Sequence, residues 1–288
     1  MLELEAKPYF HVGTERRQLE RAVVEREYRN VLLKTGRDCI SCIEPHLERV
    51  ELKKLQMLAH PGEPLAHVYF PEESLASVAS HIDEKRDVEL GLIGREGMTG
   101  EAIVLGDDRS PFAIRAQMAG LAWRLDAPLL KAAVEENSQL RSLLLRYVRA
   151  QQLQVASTAA SNVRGRTYER LARWLLMGFD RIDGDCFRCT HDALAYMVAS
   201  RRPSVTDAFH LLEEKGAIRS LRNVVVIRDL EKLQDIAGSS YGLAEREYAR
   251  LLGTDFRDHN KRYTNEVPPE LFTEDVPHDE GEQPPAPA

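Results

Sequence analysis

Between Thr190 and Asp229 the chain reads THDALAYMVASRRPSVTDAFHLLEEKGAIRSLRNVVVIRD, and few folds accommodate that pattern. Leu194, Met197 and Val198 fall on one face of a first helix, and Val205, Ala208, Phe209 and Leu212 on one face of a second. Their three- and four-residue spacing is that of amphipathic helices. Thr190 stands where an N-cap belongs, and Asp192 puts a negative charge in the first turn, where the helix dipole favours it. The stretch predicts helix, tight turn, helix and β-hairpin, the winged helix-turn-helix layout. The opposite face of the second helix opens with Arg201, Arg202 and Ser204 and continues through Thr206, Asp207 and His210. Guanidinium groups so placed can fork onto guanine edges in a major groove while the apolar face stays packed. A wing carrying Arg219, Arg222 and Asn223 can track the DNA backbone. A helical hairpin in any α-rich domain explains the apolar spacing alone, but the arginine pair and the following wing point to DNA.

A net charge of −7 argues against a nucleic-acid partner until it is divided along the chain. Thr254 to Ala288 holds nine Asp/Glu against three Lys/Arg, whereas Val163 to Arg228 holds twelve Lys/Arg against eight Asp/Glu. The candidate reading module is therefore locally basic, by a margin that suits a reader assisted by dimerisation. No apolar run reaches membrane-spanning length and no charged-then-apolar leader opens the chain. With only four cysteines a disulfide scaffold is not indicated, so a cytoplasmic protein without a membrane partner is expected.

At 288 residues the chain has room for two domains and extensions. Residues 1–34 form a charged N-terminal extension in which ERRQLERAVVEREYRNVLL has helical character. Residues 35–127 carry short β-like segments separated by turns (ELKKLQML, AHVYFP, SLASVAS, DVELGLI, FAIRAQMA and LAWRL), the texture of a sandwich or jelly roll. Residues 128–162 are strongly helical, with an apolar stripe through Leu140, Leu143, Leu144, Tyr147 and Val148. Pairing of two copies along Leu140, Leu144 and Tyr147 would present two reading heads to two half-sites; an intramolecular core helix has the same spacing. Residues 163–237 hold the reading head. Residues 238–288 are an extension ending in an acidic, proline-rich tail (EDVPHDEGEQPPAPA), a composition that does not support a packed core.

Five segments occur in a telling order: PHLERVEL from Pro45, VYFPEESLAS from Val68, LIGREGMTG from Leu92, RLARWLLM from Arg170 and SRRPSVTDA from Ser200. Together they resemble the Crp/Fnr superfamily of bacterial transcription regulators over roughly Val31 to Ala237. The resemblance implies an α+β fold: an N-terminal cyclic-nucleotide-binding-type β-roll (jelly roll), a long dimerisation helix and a C-terminal winged helix-turn-helix. It implies a homodimeric, sequence-specific regulator whose partners are promoter DNA, a second copy and RNA polymerase. It also implies an effector pocket for a cyclic nucleotide such as cAMP, with Gly100-Glu101 and Arg109-Ser110 in the family's order and Ser157 at a base-contacting position. In such a pocket Arg forks onto phosphate oxygens, Ser and backbone amides donate, and Glu accepts from a ribose hydroxyl. Pro111 follows the serine and removes one amide donor. In the head the resemblance sets Arg202 at a guanine-contacting position, which makes it the leading candidate for a base contact, with Arg201, Ser204 and Thr206 as phosphate or secondary contacts. Pro203 and Asp207 replace an acidic and an arginine reader, so the readable code differs, while proline in a first turn suits a helix.

Two further readings remain open. One is a ligand-binding protein that signals through protein contacts; the other is a thiol-based redox regulator using Cys39-x-x-Cys42 or Cys186-x-x-Cys189. The cysteine pairs are far apart in sequence and do not form a close metal quartet, so no metal site is assigned. His60, His67, His81, His191 and His210 lack metal spacing, and Met57, Met98 and Met118 read as core filling. No catalytic constellation is present and an enzyme is not expected.

Overall fold

The computed structural model describes residues 26–83 and 86–257. Most of the charged N-terminal extension, with its expected helix, and the end of the acidic tail lie outside the described residues. A short helix α1 (Val31–Thr35), capped by the Asn30 side chain, leads into a roll of two antiparallel sheets. One sheet has the order β1-β7-β3 (Glu48–Leu52, Gly120–Asp126, His67–Pro71). The other has the order β2-β6-β4-β5 (Met57–Ala59, Ala113–Met118, Leu75–Asp83, Arg86–Ile93). A four-residue helix α2 (Glu101–Val104) lies between β5 and β6. Val68, Phe70, Ile93, Ile114 and Leu125 fill the roll. The segment ELKKLQML divides between the two sheets, because Leu55 takes a left-handed conformation (φ 64°) and turns the chain after β1.

The helical stretch after the roll is two helices, α3 (Ala127–Glu136) and α4 (Ser138–Arg164), where the sequence reads as one. Asn137 is extended, and its side chain accepts from the amides of Gln139 and Leu140, so it ends one helix and caps the next. Leu140, Leu144 and Tyr147 correct the expected dimer stripe. They are 0%, 1% and 1% exposed and belong to the roll's own core. The Tyr147 hydroxyl donates to the Met98 carbonyl at 2.9 Å, and the ring lies so close to Gly97 that a Cβ there would meet it at 2.2 Å. Apolar periodicity sets which face of a helix is covered, but not whether the cover comes from its own chain or another. The outward face of α4 instead carries Leu145, Arg149, Gln152, Ala156, Ala159 and Val163, spaced alternately by four and three residues like a coiled-coil seam.

The head comprises α5 (Thr167–Phe179), β8 (Cys186–Arg188), α6 (His191–Met197), α7 (Arg202–Glu214), β9 (Ile218–Leu221), β10 (Val224–Ile227) and α8 (Leu230–Ala237). Its sheet has the order β8-β10-β9. The chain then returns to the roll: α9 (Leu243–Leu252) packs along α4, and Tyr248, Leu252 and Phe256 enter the roll's core cluster. The head is thus fastened to its own roll. Leu75 and Leu92 of the roll join the head's apolar cluster, and the Trp174 indole donates to Glu89 at 2.6 Å. Arg181 pairs with Glu96 at 2.8 Å with both side chains buried, and the Tyr248 hydroxyl donates to the Glu96 carbonyl at 2.6 Å.

Candidate nucleic-acid interface

Thr190 caps α6 by accepting from the Ala193 amide at 3.1 Å. The turn that follows places Ala199 at φ 47°, a left-handed position where glycine is the usual solution. Arg201 is the extended N-cap of α7, and Pro203 sits in its first turn without disturbing it. Val205, Ala208, Phe209 and Leu212 are buried beneath α7, while Arg201, Arg202, Asp207 and His210 are exposed and Ser204 and Thr206 half-buried.

The Thr206 hydroxyl donates to the Arg202 carbonyl at 3.2 Å and lies 3.0 Å from His191 Nδ1. These two contacts commit Thr206 to the head's own structure. His191 stacks on Phe209, with centroids 4.6 Å apart and planes 16° from parallel. Partial burial, with the charge of Arg202 added, holds His191 below the usual histidine range. The guanidinium of Arg202 reaches Asp192 at 3.5 Å, both side chains about two-thirds exposed. Such a solvent-exposed pair is worth at most about 1 kcal/mol, so a phosphate or base can readily displace the carboxylate. The roles of His191 and Asp192 were not legible in the sequence, because each depends on a partner across the helix pair.

The wing turns at Arg222-Asn223, with Asn223 left-handed at φ 59°. Glu213 accepts from the Ser220 amide at 2.6 Å and pins the wing to α7. Arg202 and Arg222 therefore meet on the rim of one groove of about 350 Å³, together with Asp192, Ser220 and Asn223. A groove with a basic rim between a helix start and a wing can grip a nucleic-acid backbone while the helix addresses base edges.

The expected effector residues are less closely gathered. Gly100 caps α2 at φ 81°, with Val68 so near that a Cβ would meet it at 2.6 Å. Glu101 is largely buried, one of its carboxylate oxygens has no partner, and burial raises its pKa. Arg109 is exposed and donates to the Gly62 carbonyl at 3.0 Å, with Asp108 3.4 Å away. The Ser110 hydroxyl is held by the Phe112 backbone. Ser157 is half-buried on α4. Among the described residues no hydrogen bond or ion pair joins any two of these five. The orphaned Glu101 oxygen fits a hydroxyl donor such as a ribose. The phosphate side fits less fully, since Ser110 is engaged and Pro111 has no N–H.

All four cysteines are free. Cys42 is exposed; burial raises the Cys39 thiol and lifts Cys186 to about 11 and Cys189 to about 12, so these three stay protonated at neutral pH. Among the described residues no cluster of three or more His, Cys, Asp or Glu could hold a metal ion. Nor is any described helix long and apolar enough to cross a membrane.

Residues 49–137 match the cyclic nucleotide-binding domain family and residues 169–236 the Crp-like helix-turn-helix domain family. The transcriptional regulator SdrP of Thermus thermophilus is 28% identical over 203 residues, which span 67% of this chain and 95% of SdrP. Two solved structures share the fold. TTHB099, a CRP-family transcriptional regulator from Thermus thermophilus, has 21% identity and a TM-score of 0.56 over 66% of this chain and 97% of its own. FixK2 from Bradyrhizobium japonicum has 14% identity and a TM-score of 0.57 over 67% and 98%.

Proposed function

Because this chain belongs to the Crp/Fnr superfamily and is a DNA-binding transcription regulator, we propose that it works as a homodimer that reads a two-part promoter site and answers to an effector held by the roll. The observation that carries the reading is the exposed start of α7, where Arg201 and Arg202 stand free of the core with Arg222 of the wing on the same groove. Arg202 takes the base contact, Arg201 and Ser204 support it at phosphates, and Asp207 and His210 line the next turn. Thr206 acts from behind by fixing the helix start. A single recognition helix covers only part of a useful site, and a symmetric pair covers two half-sites.

The dimer pairs through the outward seam of α4 at Gln152, Ala156, Ala159 and Val163, of which Val163 is 84% exposed. Small residues there let two helices approach closely. The effector is of the cyclic-nucleotide class. Glu101 would accept from its sugar hydroxyl and Arg109 would swing from Gly62 to its phosphate, with Gly100 keeping the backbone close and Ser157 facing the base from α4. The protein works in the cytoplasm, contacts RNA polymerase and catalyses no reaction.

The test is fluorescence anisotropy of the full chain on fragments of its own promoter, with and without cAMP, against a scrambled duplex at fixed salt. Arg202→Ala should weaken specific binding by roughly 1–3 kcal/mol and relax preference at one base position. Equal weakening on specific and scrambled DNA would remove Arg202 from base reading.

A further inference from the structure

Away from the reading face, α4 and α9 enclose an open groove of about 420 Å³ lined by Arg141, Ser142, Leu145, Arg146, Arg149 and Leu251. Its floor is apolar: Leu145 is 41% exposed, and the stems of long cationic side chains cover such surface while their heads stay in water. Its rim is cationic. Arg146 donates to the Ser142 and Leu251 carbonyls. Among the described residues no carboxylate forms an ion pair with Arg141, Arg146 or Arg149.

We propose that this groove is the docking site of the chain's own acidic tail, residues 266–282. Three observations favour that occupant. The tail starts within reach of the groove: Leu251 lines it, the chain then turns back along α9 to place Phe256 on Arg181 and Arg257 beside Tyr241, about one helix length from Leu251, and 31 residues follow. Eight residues, 258–265, intervene, and an extended chain of that length reaches roughly 26 Å. The charge is complementary, since Glu266 to Glu282 carries seven Asp/Glu and no Lys or Arg. The tail also supplies an apolar pair, Leu271-Phe272, flanked by Glu270, Glu274 and Asp275. That order matches an apolar floor between arginines. A second copy fits the groove less well, because a two-fold contact sets the same patch against itself and would bring the three arginines of each copy together. Docking the tail neutralises the first half of the α4 surface and leaves Gln152 to Val163 open for pairing. It does not depend on the reading of DNA.

The experiment follows removal of the tail from the full chain by an endoproteinase that cuts after glutamate, read by mass spectrometry. A docked tail is cut slowly. Arg141→Glu with Arg149→Glu should speed its loss at least about fivefold, as expected when two favourable charge contacts become repulsive. Raising salt to about 0.5 M should act in the same direction. Adding Asp275→Arg and Asp279→Arg to the reversed groove should restore slow cutting, which a merely misfolded variant could not do. Equal rates in the wild type and the reversed groove overturn the proposal. Faster cutting on Arg201→Glu with Arg202→Glu instead would place the tail on the reading face. Protection that vanishes on dilution would assign the groove to a second copy.

Discussion

Tyr147 separates the two places its helix stripe could be buried. Its side chain is 1% exposed, and its hydroxyl donates to the Met98 carbonyl at 2.9 Å inside one chain. Tyr147→Phe keeps the ring, so no cavity opens and packing against Gly97 persists. What is lost is the hydroxyl's bond, which leaves a buried carbonyl short of a donor at a cost of about 1–3 kcal/mol. With a urea slope of roughly 3 kcal/mol per M, the unfolding midpoint should fall by about 0.3–1 M. Tyr147→Ala removes the ring as well and should cost about 3–5 kcal/mol. The assay is urea unfolding followed by tryptophan fluorescence at two protein concentrations tenfold apart. A contact within one chain lowers the midpoint equally at both. A contact between chains weakens association, so its effect grows as the protein is diluted. A loss seen only at the lower concentration, with a weaker dimer by sedimentation, would refute the placement of Tyr147 in the roll's core.

Two other buried groups give sharper tests of how head and roll are joined. Burial lifts Glu89 from 4.5 to about 7, against the opposing hydrogen bonds from Ser77 and Trp174. The folded state therefore binds this proton more tightly than the unfolded one. Glu89's contribution is fully present below pH 4.5 and is lost as pH rises to about 7, a total of about 3 kcal/mol. Glu89→Gln should remove that component from the pH dependence of the urea midpoint, and identical pH slopes in the two proteins would contradict it. Phe256, 6% exposed and 5.0 Å from the Arg181 guanidinium through its ring, ties the end of the chain to the head–roll junction. Phe256→Ala should cost about 3–5 kcal/mol and divide one calorimetric transition into two as head and roll uncouple; a single, merely lower transition would show that the strap does not couple them.

What could be read from the sequence is what local spacing encodes. AHVYFP, SLASVAS, DVELGLI, FAIRAQMA and LAWRL each fall on a strand of the roll, three of which run beyond the segment, because a run of strand formers between turn residues carries its own signal. The caps and apolar faces of α6 and α7 are local in the same sense. Arg201, Arg202 and His210 are exposed because Val205, Ala208, Phe209 and Leu212 turn the other side of α7 to the core. What spacing leaves open depends on single backbone conformations or on distant partners. ELKKLQML reads as one segment because nothing in its spacing marks Leu55 as left-handed. Tyr147 could be assigned to a face but not to a partner. Tyr248, Leu252 and Phe256 are spaced by four residues on an extension whose acidity drew attention to its end. The pairs Glu89–Trp174 and Glu96–Arg181 each lie 85 residues apart, with no pattern in the chain that would join them.

Those non-local pairs meet the roll on β5 and in the turn just after it, and that bears on how a signal can travel. Gln154 of α4 accepts from the Leu92 amide at 2.8 Å and donates to the Leu92 carbonyl at 3.1 Å, closing the free edge of β5 with a side chain. Gly91 leaves room beside it, since a Cβ would meet Gln154 Oε1 at 2.7 Å and push the side chain off Leu92. Two residues earlier on β5, Glu89 receives the Trp174 indole of the head. The helix α4, with the proposed pairing seam, and the head, with the proposed reading arginines, are therefore both attached to β5. A rigid rotation of the head about Gly165 alone would break the Glu89–Trp174 contact and strip Leu92 from the head's cluster. A shift of β5 together with its ladder partner β4 would carry the head along and keep the Glu89–Trp174 and Gln154–Leu92 bonds. Of the two routes, the second leaves fewer buried polar groups unpaired, and an unpaired buried donor or acceptor costs about 1–3 kcal/mol. On the proposed function, an effector in the roll would act on the head most economically by moving β4 and β5 together.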